Sequence, residues 1–501
     1  MKKLLFLLLF FLFHIASFSQ SIDDVFPQKK MKKDLAIFKE IREKANSGLY
    51  KYRTKKQIDS IYNWAEHQIP KLVTFRDFYN LIFTLSDFEG SLHNNVDFPE
   101  KYYESLKEET SGYFPYPIKW IDGKWRINFK GGEIPLGAEI ISINKVPISE
   151  IIKNLSKYYS TDGINTTGKR VGMRGAFSKF YRYHYGLTQN FKVEYKTNNS
   201  TVLKTISIKS IGYKERFENF KNRFSKPFDQ IYYEDLAENE MYKFKKVDKN
   251  TGVLTLESFA MGGPESTGHK AYAKWLDSIF IDVKKNKLKN LIVDVRNNGG
   301  GNDPNDIITY SYLTQRNFQE NTQAWISFKK IPLLKYIYTK IPRFLRPFGV
   351  RKYNKSFTKD FPKEIGGKIY QDENSNDHQI RKPNTNAFTG NVYLLIAPEV
   401  ASAASLFAAM LTGNKNTVVV GEETMGGYYG HNGHNGLGYI LPNSKIATFF
   451  YIVNLEQDVP KKNNQKYNRG IIPDYQVSQS YKDFLEQKDT QMNFVLDLIK
   501  E

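Results

Sequence analysis

Apolar residues recur at three- and four-residue steps through DLAIFKEIREKA, KKQIDSIYNWAEHQI and TFRDFYNLIFTLSDF, between Met31 and about Leu106. That period predicts amphipathic helices, with Thr74 as the N-cap of the third. Between about Tyr113 and Ser210 the period shortens to alternation. WRINF, EIISINKVPI, NFKVEYK and TVLKTISI read as short strands split by the turn chemistry of DGK, KGGE and TNNS. Within this stretch, Glu133 to Leu155 predicts a strand, a tight turn carrying Asn144 and Lys145, and a helix starting near Ser149.

From about Met241 strands and helices alternate, the pattern of an α/β layered fold. TGVLTLESF is a strand and HKAYAKWLDSIFIDVKK a helix. KNLIVDVRNN is nearly apolar throughout, as a parallel strand buried on both faces should be. DPNDIITYSYL reads as a helix. A basic insertion at about 321–386 separates it from the strand VYLLIAPE, a helix from Ser402 to Thr412 and the strand TVVVGEE. Gly413 and Asn414 stop that helix.

Composition changes this picture in three ways. The opening MKKLLFLLLFFLFHIASFSQS has a charged start, an apolar run of membrane-leader length and small residues at Ser17 and Ser19. It reads as a signal peptide over 1–19, and export to the periplasm is expected, with release from the cell as the other outcome. No later segment approaches the roughly 18 apolar residues of a membrane span. The absence of cysteine excludes disulfides, thiolate metal sites and a cysteine nucleophile. The formal charge of +20 favours contact with anionic surfaces. No nucleic-acid-binding signature accompanies it, so nucleic acid is not expected as a partner. The insertion contains IPLLKYIYTKIPRFLRPFGVRK, both basic and apolar, which reads as a surface excursion, a membrane contact or a cap on the active site.

Two glycine- or serine-bearing turns join strands to helices. DVRNNGGGNDPND (Asp294 to Asp306) lacks the lysine of a phosphate loop and the spacing of a dinucleotide fingerprint; what it offers is backbone N–H groups for an oxyanion. VASAASLFAAML (Val400 to Leu411) places Ser402 in the first helical turn, where it either caps the helix or faces a cleft. Ser405 lies further in and reads as packed or bonded to its own helix.

The order D-x-R-N-N-G-G-G, S-A-A-S, GEETMGG and RGIIPDYQV resembles the C-terminal processing and tricorn-core serine peptidases. GLYKYRTKKQIDSIYNWAE and SDFEGSLHNN resemble the helical domain of exported members, and Glu133 to Leu155 looks like their PDZ-type domain. The resemblance implies a multidomain α/β protein: helical domain 20–110, PDZ-like domain 111–212, and a crotonase-like spiral catalytic domain 213–501. Carried over by position, Ser402 is the nucleophile, and the N–H groups of Ala403 and Gly300 form the oxyanion hole. The processing branch has a lysine base 25 positions after the serine, where this chain has Gly427. The tricorn-like branch uses an upstream histidine, which matches His93. An imidazole of ordinary pKa about 6.5 can take the serine proton. His431 and His434 in YYGHNGHNG are its rivals, His431 being the alternative base. The glutamate that branch carries before its final motif has no counterpart in KYNRGIIPD; Glu422, Glu423, Asp87 and Glu89 are nearby acids without an assigned role.

The expected function is hydrolysis of peptide bonds in peptides or unfolded proteins, with no cofactor and no metal. HxxH without HExxH names no third metal ligand. The alternative is an inactive peptide- or ligand-binding protein on the same fold.

Overall fold

The computed structural model describes residues 21–198, 200–226, 240–302 and 304–501; the leader expected over 1–19 lies outside them. The helical periods near the N-terminus form Gln28–Ala45, Lys55–Gln68, Phe75–Phe88 and Glu100–Lys107. Thr54 and Thr74 each close a capping box with the residue three positions on, Gln57 and Asp77. These boxes satisfy first-turn N–H groups that have no helical partner. Between the last two helices, Asn95–Asp97 forms a three-residue strand, which pairs antiparallel with Ala447–Gln457 from the far end of the chain. That pairing carries the loop containing His93 across the molecule.

A second unit is the antiparallel sheet Ile118–Ile121, Lys124–Ile127, Glu139–Ile143, Asn190–Lys196 and Lys204–Lys209, in that order. Asn144 and Lys145 both adopt positive φ, 51° and 67°, and turn the chain into Val146–Pro147 and the helix Ile148–Leu155. The sequence period showed only strands between here and Ser210, but Lys169–Tyr185 is a helix, kinked at Ala176. It packs against the edge strand Ile118–Ile121.

The third unit is built on a sheet ordered Tyr475–Gln476, Thr417–Gly421, Asn391–Ile396, Asn290–Asp294, Thr251–Leu256, Tyr242–Lys246. All pairs are parallel except the last. Alternate strand residues serve two cores. Leu291, Val293 and Leu394 meet the helices Thr267–Lys285, Asn305–Ser311 and Ser402–Thr412 on one face. Ile292, Leu395 and Val420 meet Val495 of the closing helix Thr490–Leu498 on the other. The strands are therefore buried on both sides, which is why they read as continuous apolar runs.

A further antiparallel sheet contains Asn432–Ile440, Ala447–Gln457, Asn321–Ile326, Lys368–Tyr370 and Lys363–Ile365. Its strands Asn321–Ile326 and Lys368–Tyr370 come from the segment expected to be an insertion. That segment is thus anchored as sheet, and the part between Ile326 and Lys363 carries the helix Arg346–Asp360 outside the strand order.

Candidate active site

The helix Ser402–Thr412 begins on a backbone turn that places Ser402 at φ +50°. A left-handed serine costs about 1–2 kcal/mol, and such strain concentrates where a side chain must be aimed. The N-cap position is Ala401, which has no side-chain oxygen to cap the helix. The partner of the Ser402 hydroxyl is His93 Nε2, 3.3 Å away. Ser405 is fully buried, and its hydroxyl donates to the Ser402 carbonyl at 2.7 Å. The two serines therefore separate cleanly into one that faces outward to an imidazole and one that packs.

His93 comes from the loop between Phe75–Phe88 and the short strand Asn95–Asp97. Its Nδ1 lies 2.6 Å from the Asn432 carbonyl. A carbonyl oxygen only accepts, so Nδ1 carries the proton and the Nε2 lone pair faces the serine hydroxyl. The Tyr451 ring lies 4.4 Å from the imidazole, centroid to centroid, and walls one side. Burial pushes the His93 pKa down to about 4; the Asn432 carbonyl acts the other way and His434 adds to the fall. Near neutral pH the ring is uncharged and able to accept a proton.

Neither rival histidine reaches Ser402. His431 is buried, with its ring centroid 5.5 Å from that of His93, and burial pushes its pKa well below the usual range. His434 sits in a bulge of the sheet, 3.9 Å from Glu320. Of the histidines expected as base or alternative base, the one within hydrogen-bond distance of the Ser402 hydroxyl among the described residues is His93, with His431 beside it.

The four nearby acids are committed elsewhere. Glu422 pairs with Arg170 at 3.0 Å, Glu423 with Arg469, Asp87 with Lys169, and Glu89 with Arg42 at 2.7 Å. Glu423 also accepts the Gly470 N–H, so GEETMGG and RGIIPDYQV are tied into one structure. The group that orients the His93 ring is a main-chain carbonyl, that of Asn432. Residue-type reasoning had no signal for it, since every residue carries a carbonyl.

The missing lysine has a packing explanation. A side chain at Gly427 would begin 2.8 Å from the Gly430 carbonyl and 3.1 Å from the Tyr52 hydroxyl. Tyr52 donates to that same carbonyl at 2.8 Å and fills the space. The buried Lys51 does not substitute. Its ammonium donates to Asn454 Oδ1, the Leu455 carbonyl and Glu456 Oε1 at 2.7, 2.8 and 3.0 Å, using all three protons.

Asp162 is a residue the sequence did not single out. Buried between the units, its carboxylate accepts the N–H of Leu92 and the N–H of Gly427, each at 3.0 Å. It thereby clamps the loop of the imidazole to the loop that follows the serine helix. Burial pushes its pKa up to about 7, opposed by those two N–H groups and by Lys51.

Ala403, second in its helix, presents a first-turn N–H with no acceptor four residues back within that helix. Gly300, at φ +115°, approaches so closely that a Cβ there would lie 2.8 Å from Ser402 Cβ and 3.2 Å from the Ala403 nitrogen. Its own N–H, expected as the second oxyanion donor, instead donates to Asn298 Oδ1 at 2.9 Å. Gly300 thus supplies close backbone approach, with its donor already engaged.

Residues 250–477 match the model of peptidase family S41. No curated protein matches the sequence. Among solved structures the chain is similar to mature CPAF, with 14% identity over 91% of this chain and 94% of that one and a TM-score of 0.56. It is likewise similar to mature CPAF complexed with lactacystin, at 13% identity, 94% and 98% coverage and a TM-score of 0.57. A CPAF mutant gives 12% identity, 92% and 95% coverage and 0.61. At such identities the likeness is one of fold. The family match covers the parallel strands and the helix bearing Ser402, so residues 250–477 are similar to the serine-type peptidases of family S41.

Proposed function

We propose that Ser402 is the nucleophile and His93 the general base. The carrying observation is the chain of contacts Ser402 hydroxyl, His93 imidazole, Asn432 carbonyl. Ser402 Oγ attacks the scissile carbonyl while its proton passes to His93 Nε2. The Ala403 N–H donates to the oxyanion. His93 then gives the proton to the departing amine, and water, activated by the same imidazole, releases the acyl group. The Asn432 carbonyl holds the ring tautomer and orientation, the part that a carboxylate plays in other triads.

The antiparallel unit supports a PDZ-like role. Ile118–Ile121 is an edge strand, and the helix Lys169–Tyr185 flanks it, leaving a groove where an extended peptide adds as a strand. Lys119, Trp120, Arg170 and Arg174 line a cavity there together with Ala397, Pro398 and Glu399, the segment just ahead of Ser402. A peptide end gripped in this groove is delivered towards the nucleophile. The alternating strands and helices of the third unit suit a crotonase-like spiral, and the leader-like N-terminus suits an exported, periplasmic enzyme acting on unfolded polypeptides.

Ser402→Ala and Ser405→Ala variants of the mature protein, assayed on an unfolded protein, test the reading. Activity should vanish in the first alone, and a fluorophosphonate should label the parent and Ser405→Ala but not Ser402→Ala. Labelling independent of Ser402 would overturn the assignment; a parent neither labelled nor active would favour the ligand-binding alternative.

A further inference from the structure

Between Lys329 and Lys359 the chain carries ten Lys and Arg and no Asp or Glu. This is the part of the expected insertion between the strands Asn321–Ile326 and Lys363–Ile365. Its turn and following helix, Arg346–Asp360, expose Phe344 at 77%, Phe348 at 71% and Leu345 at 42%. Val350 and Phe357 of the helix turn inward. Three- and four-residue steps from Phe348 put Arg351, Lys352 and Lys355 on its outer face, all exposed. Among the described residues these three cations have no carboxylate partner.

We infer that this face docks the protein on an anionic phospholipid bilayer surface. Aromatic and aliphatic tips set among unpaired cations match the two layers of such a surface: phosphates for the Lys and Arg, the acyl boundary for Phe344, Leu345 and Phe348. An acidic protein partner would satisfy the charge but leaves two protruding phenylalanines without a reason. The contact is peripheral, since no helix among the described residues is long and apolar enough to cross a membrane. The face is also mechanically tied to the catalytic unit. Tyr338 N–H donates to the Gly438 carbonyl at 2.7 Å, and its ring lies 5.2 Å from Phe449. Gly438 belongs to Asn432–Ile440, the strand whose first residue holds His93. Docking therefore fixes the orientation of the active site relative to the lipid. This inference does not depend on the catalytic assignment.

The test is flotation of the mature protein with phosphatidylcholine vesicles, with and without phosphatidylglycerol. The parent should float only with the anionic vesicles and be released by high salt. The Arg351→Glu, Lys352→Glu, Lys355→Glu triple variant should lose at least about tenfold in partition. Phe344→Ser with Phe348→Ser should also lose about tenfold. Both should keep the parent circular dichroism and the parent activity on a soluble peptide. Equal flotation with neutral vesicles, no flotation, or variants that float like the parent would each overturn the proposal. Retention only on an acidic protein or polyanion column would do the same.

Discussion

Two neighbouring strands, Asn290–Asp294 and Asn391–Ile396, leave the same edge of one sheet through similar turns, and the chain treats the turns differently. At the first, Gly300 takes φ +115° without a side-chain penalty, and its N–H is satisfied by Asn298. Arg296 there binds Asp294 and, at 2.7 Å, Asp489, so the turn is locked to the closing helix. At the second turn a serine takes the left-handed position, with a neutral imidazole as the partner of its hydroxyl. One turn is locked in place and the other holds a strained serine against an imidazole; the first supports the second by bringing its backbone close to it.

Removing the reactive group should break the comparison most. Ser402→Ala should lower kcat by about 10⁴-fold or more, as removal of a nucleophile does. Its thermal melting should stay close to that of the parent, which separates loss of chemistry from loss of fold. Adding a methyl to the supporting turn comes next. Gly300→Ala adds left-handed strain of about 1–2 kcal/mol and a contact 2.8 Å from Ser402 Cβ. Melting should fall by several degrees, and kcat by about 100-fold from displacement of the serine.

Asp162→Asn keeps the size but turns one of two acceptors into a donor facing an N–H. We expect kcat to fall about tenfold with KM nearly unchanged, because the imidazole loop loses its clamp to the Gly427 loop. The same variant has a linkage signature. The folded Asp162 holds its proton up to about pH 7, so its ionisation costs the parent stability as pH rises from the unfolded value near 4 through 7. His93 has the opposite slope: its folded pKa is about 4, so stability is gained as pH rises from about 4 to the unfolded value near 6.5. Denaturant unfolding from pH 4 to 7 should therefore show stability rising more steeply with pH in Asp162→Asn than in the parent. In kcat/KM profiles of the parent, the acid limb should fall near pH 4 instead of 6.5. The smallest effect belongs to the buried serine: Ser405→Ala should keep kcat within a few-fold and cost about 1 kcal/mol.

The sequence made the third unit legible because its strands, buried on two faces, are uniformly apolar, and its helix stop at Gly413 is local chemistry. Ser402 and His93 were readable as motif positions, although 309 residues separate them. The helix Lys169–Tyr185 was not: GKRVGMRGAFSKF carries Gly172 and Gly175, and an aromatic-rich segment packed between units shows no clean polar face. The Asn432 carbonyl and the Asp162 clamp were also hidden. The first has no residue-type signature, and the second acts through backbone N–H groups of residues distant in sequence. His431 stood as a rival to His93 on its nearness to GEETMGG in sequence, which does not say which ring meets the Ser402 hydroxyl. The engaged N–H of Gly300 depends on a single side-chain rotamer at Asn298.

The three-residue strand Asn95–Asp97 has a consequence for folding. It is the ladder that joins the His93 segment to Ala447–Gln457, a partner 350 positions further along the chain (Asp97 opposite Ala447). On the proposed assignment, nucleophile and base meet only where this pairing is in place.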